Sequence, residues 1–154
     1  MKPRPFDMND NIATLTRNWA CLADLGYKFR GIKQKRLTID DTCRRFVFVN
    51  RPARRVIEIS NFYTNDWGLL FVTNLDPAVR PGDSAFELKD WLGYHATDLP
   101  EELSKERYLK IKYSSKEMGI ELVLEFLERL FLGPLKPILI GEKWENVPWD
   151  DTYK

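Results

Sequence analysis

His95 is the only histidine in 154 residues, and Cys21 and Cys43 are the only cysteines. A histidine steered by a carboxylate is a general-base arrangement, and Asp90 and Asp98 stand near His95 in the chain. No nucleophile signature accompanies them, and a histidine just past a helix stop is ordinarily solvated or hydrogen-bonded. Cys43 precedes Arg44-Arg45, cations that favour a thiolate; the plainer reading is a cysteine at a strand entrance. Asp40-Asp41 read as turn formers. A metal centre needs more histidine and cysteine, or a carboxylate loop of recognisable spacing, and a phosphate cradle needs a glycine-rich loop. None is written here. The sequence therefore predicts no catalytic residues, no metal site and no cofactor, in a protein that is not an enzyme; the enzyme alternative centres on His95.

Surface charge offers more. Net charge is +1, but residues 1–55 hold 13 Lys/Arg against 5 Asp/Glu, and residues 56–154 hold 11 against 18. Lys28, Arg30, Lys33, Lys35, Arg36, Arg44, Arg45, Arg51, Arg54 and Arg55 crowd one stretch. If they shared a sheet face, they could contact phosphates, which makes a nucleic-acid-binding protein using segment 28–55 the alternative function. The two halves could equally face each other in the fold.

The C-terminal half carries the acidic counterpart. Read as one helix from Ser114 to Leu132, the chain places Glu117, Glu121, Glu125 and Glu128 on one side and Leu122, Val123, Phe126, Leu127 and Leu130 on the other. Like charges at i, i+4 each cost about 0.2–0.5 kcal/mol. A stripe that costs stability implies a positive surface opposite it, in this chain or in a partner. Trp144 and Trp149 stand among Glu142, Glu145, Asp150 and Asp151, and aromatics framed by acids suit a binding surface. A terminal segment also docks on its own core. The predicted partner-binding residues are Glu117, Glu121, Glu125, Glu128, Trp144 and Trp149.

The elements that would position these residues are legible from periodicity. Ile12, Leu15, Trp19 and Leu22, with Ala23 beside them, form the inner face of a first helix that Asn9 or Asp10 caps and Gly26 ends; Cys21 falls on its polar side. Short strands follow at Tyr27–Ile32 and Arg36–Ile39. Strong strands are Arg44–Asn50, Arg54–Asn61 and Trp67–Leu75, joined by turns too short to cross a sheet. Arg44–Asn50 and Trp67–Leu75 are apolar on both faces, which predicts helices over both sides or an interface on one. Ser84-x-x-Glu87 reads as a capping box opening a second helix with Leu88, Trp91 and Leu92 inward and Gly93 closing it, and Ser114-x-x-Glu117 as another opening the long helix. Between them, Leu109, Ile111 and Tyr113 alternate with lysines, as in an edge strand. Gly133-Pro134 stops the long helix, and Leu135–Ile140 reads as extended. The fold class is α+β, an antiparallel meander of four to five strands packed with three helices, in a single domain over 1–154 with an acidic-aromatic tail, 141–154.

This layout resembles the small α+β immunity proteins that bacteria encode beside polymorphic or contact-dependent toxins. The resemblance rests on a leading helix ending in Leu25-Gly26-Tyr27-Lys28-Phe29 and on a meander of Phe46–Asn50, Val56–Ser60 and Leu69–Val72. A late helix closing on Phe126-Leu-Glu-Arg-Leu-Phe-Leu-Gly133 completes it. It implies a non-catalytic protein-binding module that neutralises a cognate toxin by forming a complex, commonly through acidic surfaces. The family shares no fixed functional residues, so it assigns none here. With no apolar h-region at the start and no apolar run near the roughly 20 residues of a membrane span, the expected location is cytoplasmic, with no membrane contact. The expected partner is a protein, a toxin domain or a second copy in a homodimer.

Overall fold

The computed structural model describes residues 19–36, 42–62, 70–80, 83–118 and 121–148. Five strands form one antiparallel sheet: β1 (Lys28–Arg36), β2 (Thr42–Asn50), β3 (Arg55–Phe62), β4 (Leu70–Asn74) and β5 (Ala85–Glu87). Spatial order equals chain order, β1-β2-β3-β4-β5, the meander that short connections dictate. The fold is α+β, as expected. The weak segment Tyr27–Ile32, from Lys28 onward, and Arg36, the first residue of the second weak segment, belong to one strand, kinked where the register shifts between Phe29 and Ile32. Residues 37–39 lie outside the described residues. The turn 63–66 and the start of the third strong strand, 67–69, lie outside the described residues.

The two-residue period of a strand sorts the sheet into two faces. Phe46, Phe48, Ile57, Ile59, Leu70, Val72 and Phe86 are buried on one, and the registers Phe46↔Ile59, Ile57↔Val72 and Val72↔Phe86 hold them together. Described helices gather on this face. They are α1 (Ala20–Asp24), α2 (Leu88–Tyr94), α3 (Lys105–Met118), α4 (Glu121–Leu132) and α5 (Lys136–Leu139), with a 3-10 turn at Glu101–Leu103. Their buried side chains join the same hydrophobic cluster. The opposite face carries Arg45, Val47, Val49, Val56, Glu58, Phe71 and Thr73, none of which belongs to that cluster. Among the described residues, helices therefore cover one face of the sheet and not both.

Trp19 locks α1 between sheet and helices, its ring 5.0 Å from Phe48 and 6.0 Å from Phe131. Residues 1–18, with the expected cap and the first turns of that helix, lie outside the described residues. Gly26 ends α1 with a left-handed φ of 97°, as expected. The expected sidedness needs correction: Cys21 is buried and Ala23 exposed. With α4 on one flank and the sheet on another, two sides of this short helix are covered, and the polar side of the wheel is one of them.

Four further expectations fail, each for a physical reason. Residues 109–113 form no strand but the middle of α3; the apolar–lysine alternation mimics period two, while Tyr108 supplies the helix's buried ring and Tyr113 stays exposed. Ser114 caps nothing: its hydroxyl donates back to the Lys110 carbonyl at 2.9 Å within α3. The capping serine is Ser104, whose Oγ accepts from the Arg107 N–H at 3.1 Å. Ser84-x-x-Glu87 likewise opens no helix; Ala85–Glu87 adds the fifth strand against Phe71–Thr73, and α2 starts at Leu88 and runs past Gly93 to Tyr94. Leu88, Trp91 and Leu92 are buried as expected. Gly133-Pro134 does end α4, but the segment after it is the helical turn α5 and not an extended piece.

The long helix is in fact a hairpin. The Tyr108 and Phe126 rings lie 5.5 Å apart. In one unbroken helix those positions would be separated by about 27 Å at 1.5 Å per residue. The chain must double back between α3 and α4.

Candidate protein-binding surface

Helix α4 has two contrasting sides. Val123, Leu124, Phe126, Leu127, Leu130 and Phe131 are buried, while Glu121, Leu122, Glu125, Glu128, Arg129 and Leu132 are exposed. At about 100° per residue, Glu128, Glu121, Leu132 and Glu125 fall within about 60° of one another. The outward stripe is thus three carboxylates ending on an apolar tip, Leu132, 47% exposed. Among the described residues no cation forms an ion pair with Glu121, Glu125 or Glu128. The reading in which the basic half of the chain neutralises this stripe finds no support there.

Glu117 does not belong to the same stripe. It lies in α3, across the reversal from Glu121, and its side chain lies outside the described set. The two residues stand on different helices, so they are not successive positions of one helical stripe. Trp149 also lies outside the described residues.

Trp144 faces the fold. Its indole N–H donates to the Asp83 carbonyl at 2.8 Å, its ring lies 5.3 Å from Phe86, and the Arg55 guanidinium sits 5.0 Å from its centroid. Those contacts tie the C-terminal segment to the end of the sheet. Arg55 is the centre of the tie. Only 4% exposed, it donates from Nε to the Ile138 carbonyl at 2.8 Å and from one terminal nitrogen to the Lys143 carbonyl at 3.0 Å. The other terminal nitrogen reaches Asn74 Oδ1 at 2.9 Å and the Ala53 and Arg54 carbonyls. Burial lowers its pKa, with Tyr27 and Asp76 opposing. The Tyr27 hydroxyl donates to the Leu139 carbonyl at 2.7 Å and is held neutral by the same burial. Gly141, at φ 84°, lies so close to Ala53 that a Cβ would stand 3.0 Å from its backbone.

His95 serves the same tail. Its Nε2 meets Glu145 Oε2 at 2.5 Å, its Nδ1 lies 3.5 Å from Asp98, and its ring lies 4.5 Å from that of Trp91, tilted by 43°. Glu145 in turn pairs with Lys143 at 3.2 Å. The carboxylate that reaches Nε2 comes from fifty residues away rather than from Asp90. With a carboxylate near each ring nitrogen, the arrangement fastens the tail to the end of α2. Among the described residues no group of histidine, cysteine and carboxylate ligands could hold a metal.

The cations of the basic segment whose side chains are described do not assemble on one face. Arg45 pairs with Glu58 at 3.6 Å on the open face, Arg54 with Asp76 at 3.5 Å, and Arg55 is buried on the other face. Lys28, Arg30 and Lys33 stay exposed on β1. Sequence reasoning missed Arg55 as a structural cation and Glu145 as the partner of His95. A turn made by Pro52-Ala53 just before Arg55 carried no sign of either. No described helix is long and apolar enough to cross a membrane. Compared with known proteins, the chain matches no family model, no curated protein and no solved structure.

Proposed function

We propose that this protein is a non-catalytic protein-binding module of the cytoplasm, an immunity-type inhibitor that neutralises a bacterial toxin by occupying a basic surface on it. One observation carries the reading: Glu121, Glu125 and Glu128 stand together, exposed, without a described cation, beside Leu132. An unneutralised stripe with an apolar end suits a partner that brings both the cations and a pocket. The opposite side of α4 is built into the core, which fixes the stripe rigidly and lowers the entropy lost on docking.

The test compares wild-type chain with a Glu121→Lys/Glu125→Lys/Glu128→Lys variant as baits in the native cell. The expected result is a toxin-domain protein captured by the wild type alone, whose toxicity co-expression of the wild type relieves and the variant does not. Equal capture by both baits, with equal relief, would remove the stripe from the interface.

A further inference from the structure

A second surface stands at the other end of the charge scale. Among the described residues β1 has a strand neighbour on one side only, and no backbone group bonds to its outer side. A bare edge is usually blunted by a bulge or by charge. Here the bulge lies early, between Phe29 and Ile32, where Gly31 adopts φ 105° with nothing within 4 Å of its Cβ position. Beyond it, Ile32 to Arg36 runs in unbroken register with Phe46 to Thr42. Five consecutive residues of regular edge follow the bulge.

The side chains say what this edge would accept. Phe29 and Ile32 are 41% and 38% exposed, and the Phe29 ring rests 5.3 Å from Phe48 and 6.4 Å from Phe46. They form an apolar lip continuous with the core. Lys28, Arg30 and Lys33 are exposed beside it and form no ion pair with a described acid. A second copy pairing edge to edge would set these cations against themselves, and like charges across strands are destabilising. An alternating apolar and acidic strand does not meet that objection. We infer that the β1 edge binds an acidic, extended peptide segment of a partner protein, which adds a sixth strand along Ile32 to Arg36. Main-chain hydrogen bonds would supply affinity, and the lip and the cations would supply selection. This surface is separate from the α4 stripe and does not depend on it.

The probe is a fluorescent, end-blocked hexapeptide alternating valine and glutamate, titrated into the full chain by anisotropy. Saturable binding is expected, weakened about tenfold or more by N-methylation of alternate peptide amides and by exchanging glutamate for lysine. The Arg30→Glu/Lys33→Glu variant should show the same loss with an unchanged thermal midpoint, and Glu121→Lys/Glu128→Lys should show none. Absence of binding at millimolar peptide overturns the inference. So does equal binding of the N-methylated peptide, which would reduce the site to charge alone. Tighter binding of oligo-dT than of the peptide would overturn it in favour of single-stranded nucleic acid.

Discussion

Arg55 Nε donates to the carbonyl oxygen of Ile138 at 2.8 Å, across 83 positions of sequence. The guanidinium answers four other acceptors as well, so it works as a buried bracket between the start of β3, the end of β4 and the C-terminal segment. Replacing it by lysine keeps the charge but loses the planar fork. Several buried acceptors would then lack a donor, at about 1–3 kcal/mol each. Arg55→Lys and Arg55→Met should both lower stability by about 3 kcal/mol or more in urea denaturation. A loss below about 1 kcal/mol for either would mean that water replaces the bracket without cost.

Glu87 gives a pH signature. Burial raises its carboxyl pKa, with Lys89 at 3.9 Å opposing. Between the ordinary carboxylate value and the raised one, the native chain holds more protons than the unfolded chain. Stability contributed by this group therefore falls as pH rises through that window and is flat above it. Glu87→Gln removes the ionisation and should be more stable than wild type at pH 7, with the difference vanishing near pH 3. Paired thermal melts at the two pH values check this; a destabilised variant at pH 7 would show that the Lys89 pair outweighs desolvation.

The strands from 42 to 62 were legible because β-branched and aromatic residues alternate there between turn residues. The helical hairpin was not. Leu109, Ile111 and Tyr113 alternate with lysine at a strand's period, and Ser114-x-x-Glu117 has the letters of a capping box without its geometry. Between the two helices the sequence offers one weak signal against continuity, Gly119, since a glycine costs about 1 kcal/mol inside a helix. The exposure of Glu121, Glu125 and Glu128 on α4 was legible because a helical wheel depends only on local spacing. Arg55 and the His95–Glu145 contact were not found, since both join positions far apart in the chain. Capping turns this difference into a measurement. Ser104→Ala should cost about 1 kcal/mol, while Ser114→Ala, whose hydroxyl bonds within α3, should be nearly neutral. The reverse order would restore a helix beginning at Ser114.

Cys21 reports on the junction of α1 and α4. Its thiol is pushed up to about 11, first by burial and second by the negative charge of Glu128. Against an ordinary value of 9.0, the thiolate at pH 8 is about a hundredfold scarcer, and the thiolate is the reactive species. In a Cys43→Ser background, iodoacetamide should label the native chain slowly at pH 8 and the urea-unfolded chain fast. Adding Glu128→Gln should speed native labelling by only a small factor, because burial is the larger cause. Rapid native labelling before that change would mean that α1 opens from α4 in solution, and the rigid backing claimed for the acidic stripe would go with it.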